Sequence, residues 1–271
     1  MKKRILFLTT ALALFTLVFT SCSKDDDNSS QILKPTSKTK TSLPVITVSD
    51  EGYSTIEHAN LAPIFVETEN LEISEMELIY ADRQEAKLTF NLYKAAFKTY
   101  DNPIIESLLK TESRVIALDK TLKYYEITVP AIGELEVFTK AERQTKFNTI
   151  KAKFTSLNEV FKVMTKHEEE RAEAYKKEIN KVNTNLKCLL THLMYASQNH
   201  MKLLVNKLKA AGITYTPTVM PKKDFDAIIK AEFNHGKYYN KHGKGDTNSA
   251  KRGKKTGEKA KINDQGKHTN S

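Results

Sequence analysis

Between about Ser74 and Ala211 apolar residues recur at three- and four-residue steps, the spacing that places them on one face of a helix. The first such run, Ser74 to Tyr100, aligns Met76, Ile79, Arg83, Ala86, Phe90, Tyr93 and Phe97. A second starts at Asn102-Pro103, a capping side chain followed by the ring favoured at the first helical position. It carries Ile105, Leu108, Glu112, Val115 and Ile116 and ends near Tyr125. Pro130 and Gly133 mark a long connection with room for a short helix from Lys140 to Phe154. The third run, about Ser156 to Val182, aligns Val160, Phe161, Met164, Glu168, Ala172, Tyr175 and Ile179. The fourth, about Leu186 to Ala211, aligns Leu186, Leu190, Leu193, Ser197, His200, Leu204 and Leu208, with Gly212 placed to cap it. A short fifth helix starts at Pro221 and carries Phe225, Ile228 and Ile229. Four long amphipathic helices with little strand signal predict an all-α fold: a four-helix bundle over residues 71–232, with a short extra C-terminal helix.

The flanks read differently. Lys2, Lys3 and Arg4 precede an uncharged run from Ile5 to Thr20, 16 residues long. That is shorter than the roughly 20 residues of a membrane span, so residues 1–21 are expected to be a removed signal peptide. Phe19-Thr20-Ser21-Cys22 resembles a bacterial lipobox, with Phe19 where Leu is usual, which implies a lipidated N-terminus at Cys22. Only one other cysteine exists, Cys188, expected to be a packed small residue. Ser23-Lys24-Asp25-Asp26-Asp27 resembles the signal that carries Bacteroidetes-type lipoproteins through the outer membrane. The expected location is therefore the outer membrane, lipid-anchored through Cys22 and facing the cell surface, or otherwise the periplasm. Residues 22–70, rich in Ser, Thr, Lys and Pro in their first half, read as a flexible tether, with Leu43 to Ser49 able to make a short strand.

The formal charge of +10 changes little about the bundle. The stretch from Gly236 to Ser271 carries +7 and the three basic residues at the start carry +3, which leaves a near-neutral body. A nucleic-acid partner is not expected. The segment 233–271 reads as a basic disordered tail, either a solubilising end or a patch for an anionic surface polymer.

Three carboxylate or histidine residues interrupt otherwise apolar stripes, one on each of three helices: Glu112, Glu168 and His200. Buried alone, each would need a partner or a shifted protonation state, and bundles that bind metals set carboxylates and histidines at such positions. Each also has a plainer reading. Glu112 has Arg114 and Lys110 close by, Glu168 belongs to the charged run Lys166 to Arg171, and His200 lies one turn after Ser197.

The C-terminal part carries a likeness. Met194-Tyr195-Ala196-Ser197-Gln198-Asn199-His200-Met201, Ala211-Gly212-Ile213-Thr214-Tyr215-Thr216-Pro217 and Asp224-Phe225-Asp226-Ala227-Ile228 resemble the ferritin-like family catalogued as domain of unknown function 2202. The N-terminal half is similar through Lys87, Leu88, Asn91 and Tyr93, and the resemblance covers about 70–232. It implies a ferritin-like bundle with a metal site for iron or another divalent ion. Departures accompany the match: Ala86 stands where the first helix would supply a metal Glu, Val115 where the second would supply His, and Ser197 where a full di-iron site has Glu. The surviving candidate ligands are Glu112, Glu168 and His200. The chain is thus expected to be a binding or structural module with a degenerate metal site and no catalytic residues, the alternative being a metal-dependent redox or iron-handling protein.

Overall fold

The computed structural model describes residues 44–236, together with the backbone at 238–239 and 245–246. Seven helices dominate it, labelled α1 (Ile73–Tyr100), α2 (Pro103–Thr111), α3 (Arg114–Tyr124), α4 (Ala141–Lys151), α5 (Leu157–Glu178), α6 (Thr184–Ala210) and α7 (Lys222–Lys230). The all-α expectation is met. α1 packs on α2 and α3, and α5 packs along α6. The two helical pairs are joined by one long crossover that contains α4, a connectivity used by ferritin-like bundles.

The helix ends follow local chemistry. Asn102 accepts from the amides of Ile104 and Ile105, with Pro103 at the first helical position, and Ser156 and Asn183 cap α5 and α6. α6 closes on Gly212, whose φ of 73° is the left-handed conformation that glycine adopts without penalty. The amide of Ile213 then reaches back to the carbonyl of Leu208, satisfying one of the last orphan acceptors.

The expected second helix is two helices. Thr111 turns its hydroxyl back onto the carbonyls of Ser107 and Leu108, an alternative to continuing the helix. Glu112 is extended, and its carboxylate caps the new helix by accepting from the amide of Arg114. The break also shifts the phase. The buried residues of α3 are Arg114, Ala117, Leu118, Thr121 and Leu122, while Val115 is only half-buried and Ile116 is exposed. In α1 the stripe is wider than expected: Ala86 to Thr89 and Asn91 to Tyr93 are all buried, whereas Phe90 and Phe97 are half-exposed.

The expected tether needs a larger correction. From residue 44 on it belongs to the packed body. β1 (Ile46–Val48) pairs antiparallel with β2 (Ser54–Ile56), two single-turn helices follow at 58–60 and 62–64, and Val45, Ile46, Ile56, Leu61, Ile64 and Phe65 are buried in the core. Gly52 turns this hairpin at φ 102°, and the ring of Phe233 sits where a side chain would begin. The start of the expected disordered tail is likewise engaged: Asn234 bonds to Asn199, and β3 (Tyr238–Tyr239) pairs with β4 (Gly245–Asp246). The expected signal peptide, Cys22, residues 23–43 of the expected tether and most of the expected basic tail lie outside the described residues. Among the described residues no helix is long and apolar enough to cross a membrane.

The core has two main apolar clusters. One gathers Ile79, Ala86, Leu118, Leu190 and the hairpin residues; the other gathers Leu92, Leu108, Met164, Leu204 and Phe147. Along α5 and α6, and at the α2–α3 break, a buried polar stretch falls between them. That layer holds the candidate site.

Candidate functional site

Glu112, Glu168 and His200 converge, as the interrupted stripes suggested. One potential ligand atom from each lies within 4.8 Å of the others. The α2–α3 break supplies Glu112, the middle of α5 supplies Glu168, and the middle of α6 supplies His200.

What stands among them is an arginine. Arg114 has a residue exposure of only 1% and is the largest fully buried side chain among the described residues. Its Nε donates to both carboxylate oxygens of Glu112 at 2.9 Å. Nη2 lies 2.7 Å from Glu112 Oε2 and donates to Glu168 Oε1 at 2.7 Å. Nη1 donates to Glu168 Oε2 and to Ser197 Oγ, each at 3.0 Å. The planar fork of a guanidinium matches two carboxylates edge-on, which an ammonium could not do. Tyr93 adds its hydroxyl to Glu168 Oε1 at 2.7 Å.

The electrostatics follow from this packing. Burial pushes the Glu168 carboxyl upward, but Arg114 and His200 outweigh it and hold the group well below the usual carboxylate range. Burial works against a charged Arg114, and Glu112 with Glu168 more than reverse this, so its proton is held more tightly than in water. Burial, then the charge of Glu168, raises the Tyr93 phenol well above its ordinary value, which keeps it a donor.

His200 is oriented from outside the bundle. Its Nε2 accepts the backbone amide of Ser54 in β2 at 3.1 Å, which leaves the ring proton on Nδ1. Nδ1 faces Glu168 Oε1 at 3.6 Å, an electrostatic contact longer than a hydrogen bond. Asn199 ties the same hairpin down through Ser54 Oγ, and it also holds the carbonyl of Asn234. The Ser-Gln-Asn-His stretch therefore serves two tasks: Ser197 accepts from Arg114, while Asn199 and His200 bind the hairpin.

A metal ion does not fit this donor arrangement. All four oxygens of Glu112 and Glu168 already accept from a guanidinium that carries the positive charge. An ion on Nε2 would displace the Ser54 amide. An ion on Nδ1 would move the ring proton to Nε2, where it would face that amide's own hydrogen. Ala86 and Val115, at positions where ligands were expected, pack into the apolar cluster.

Sequence reasoning weighed Arg114 only as a local partner of Glu112 and missed its reach to α5 and α6. It also missed Glu169. That carboxylate accepts from the amides of Thr218, Val219 and Met220 at 2.7 to 3.2 Å and from the Tyr215 hydroxyl at 2.7 Å. A second buried ion pair joins Arg171 to Asp82 at 2.9 Å, with the guanidinium 4.4 Å from the Tyr175 ring. Next to Glu168, the imidazole of His167 is kept neutral by burial, its pKa lowered to about 3. The charged run Lys166 to Arg171 is thus mostly interior. Glu85 is partly covered and paired with Arg143 and Lys146.

A similar protein of known structure shares this fold. The uncharacterized protein MJ0754 of Methanocaldococcus jannaschii is 25% identical over 166 residues, covering 60% of this chain and 90% of that protein. Its crystal structure, titled as a hypothetical protein, superposes with a TM-score of 0.59 at 24% identity and covers 62% of this chain and 98% of its own, a likeness of fold. The profile of the uncharacterized protein domain DUF2202 matches residues 74–232, and the chain belongs to that family.

Proposed function

We propose that this chain is a lipid-anchored surface protein whose helical domain works as a binding or structural module, its polar centre held by Arg114 in place of a metal ion. One observation carries the reading of the centre: the Arg114 guanidinium lies across both Glu112 and Glu168 and uses the donors and acceptors that a metal would need. The anchoring is supported by the sequence alone, through Lys2 to Arg4, the apolar run Ile5 to Thr20 and Cys22. In this reading Cys22 inserts its acyl chains into the bilayer, and the basic tail is available to an anionic surface polymer. The test is elemental analysis of the full chain, purified without chelator and then offered Fe(II), Mn(II) and Zn(II). Absence of stoichiometric metal supports the module. Loss of acyl-label incorporation in Cys22→Ser supports the anchor.

A metal-dependent redox or iron-handling protein is the second reading, favoured by the convergence of Glu112, Glu168 and His200 within 4.8 Å. It requires about one or two ions per chain, the occupancy of mono- and di-metal bundle sites, and their loss in His200→Ala.

A further inference from the structure

We propose that a small hydroxylated organic anion, a sugar acid or sugar phosphate, binds in a cavity between the end of α4, the outer face of α5 and the loop 213–220. The cavity measures about 250 Å³ and lies apart from the Arg114 centre. Residues 162, 163, 166, 167 and 170 of α5 line it, the spacing of one helix face, with Ile150 at the end of α4 and Lys153 just beyond that helix opposite.

Three features of the wall set the ligand's chemistry. The first is positive charge. Lys153, Lys162 and Lys166 line the cavity against one acidic residue, Glu170. Glu170 is answered by Lys146 at 4.0 Å and Lys162 by Glu159 at 2.6 Å, whereas Lys153 and Lys166 have no ion-pair partner among the described residues. Two ammonium groups are therefore available to an anion.

The second is a buried nitrogen with nothing to bond. His167 has a residue exposure of 1% and lines the cavity. The Thr89 hydroxyl donates to the carbonyl of Glu85 at 3.0 Å, so His167 Nε2–H donates to Thr89 Oγ1 at 2.8 Å. Nδ1 then carries a bare lone pair, and it has no hydrogen-bond partner among the described residues. A buried acceptor left in this state is unfavourable, and because the atom is shielded from solvent, a ligand hydroxyl satisfies it once a neighbouring side chain or the ring itself shifts. The third feature is the apolar wall of Ile150, Val163 and the lysine stems, which suits the carbon skeleton of a small molecule better than a bare inorganic ion.

The test is titration of the full chain, isotope-labelled, with D-glucuronate and D-glucose 6-phosphate, read by amide and histidine nitrogen signals in nuclear magnetic resonance. D-glucose and inorganic phosphate serve as probes lacking the charge or the skeleton. The expected result is saturable shifts at Val163, His167 and Thr218 with at least one organic anion, the two arms separating carboxylate from phosphate. The His167 Nδ1 signal moves as its lone pair accepts a hydrogen bond. Lys153→Gln/Lys166→Gln, changed at two exposed side chains, weakens binding about tenfold or more. The proposal is overturned by the absence of a saturable shift with either organic anion, or by equal binding by the double variant. Inorganic phosphate binding as tightly as glucose 6-phosphate also overturns it.

Discussion

Glu168 and Glu169 are consecutive on α5 and both are fully buried, yet they belong to two regions that neutralise a carboxylate by opposite means. Glu168 faces the bundle interior, where a formal positive charge answers it: Arg114 on two edges, with Tyr93 adding a hydroxyl and His200 a ring proton nearby. Glu169 faces outward to the loop 215–220, where no cation among the described residues touches it and three consecutive backbone amides with one phenol do the work. The first arrangement balances charge with charge across three helices. The second staples a loop with dipoles, as an anion in a backbone nest does. A buried acid on one helix therefore says little about a metal until its partners are known.

The comparison breaks most visibly at Arg114. Arg114→Ala leaves two facing carboxylates buried without a cation, and the expected loss of stability is about 3–5 kcal/mol by urea denaturation. Glu112→Gln/Arg114→Met/Glu168→Gln removes the charges together and should recover most of that loss, because an ion cluster adds little over neutral groups of similar size. Full destabilisation in the triple variant would show that the cluster's shape, and not its charge balance, matters.

Acid separates the wild type from the triple variant less sharply. The folded state holds Glu168 below its unfolded value of 4.5, so it binds fewer protons than the unfolded chain. The stability this provides is complete above that pH and is lost as the pH falls below it, through the folded pKa. Urea midpoints measured from neutral pH down to the acid limb should fall more steeply for the wild type than for the triple variant.

Glu169→Ala should cost about 2–3 kcal/mol, since three amides, that of Met220 buried, and the Tyr215 hydroxyl lose their acceptor. Hydrogen exchange should quicken at Thr218, Val219 and Met220 while the amides of α6 keep their protection. Smallest is Ser113→Ala, which frees the Ile56 amide from its 2.9 Å bond and should cost about 1 kcal/mol while loosening the hairpin.

Much of the helical frame was legible in the sequence. Val160, Phe161, Met164 and Tyr175 on α5, and Leu186, Leu190, Leu193 and Leu208 on α6, are buried where their spacing put them. The break at 112–113 was not legible, because it rests on Thr111 bonding backward and on Ser113 accepting an amide 57 residues away. The first strand falls inside the stretch Leu43 to Ser49 read as strand-capable, but its partner and its docking were missed, because Val45, Ile46, Ile56 and Phe65 are scattered among polar residues and are buried only by docking on helices formed later in the chain. Glu168 and His200 were found because each interrupts an apolar stripe. Arg114 was not, since a charged residue two places from Glu112 looks like a local partner until tertiary packing carries it to Glu168 and Ser197.

The central claim is that a guanidinium occupies the place where a related site would hold a metal. Crystals of the full chain grown with excess Zn(II) or Fe(II) test it most directly, through an anomalous difference map at the metal's absorption edge. The expected map has no peak between Glu112 and Glu168, with Arg114 bridging both carboxylates. An anomalous peak coordinated by Glu112, Glu168 and His200, with Arg114 displaced, would contradict the account.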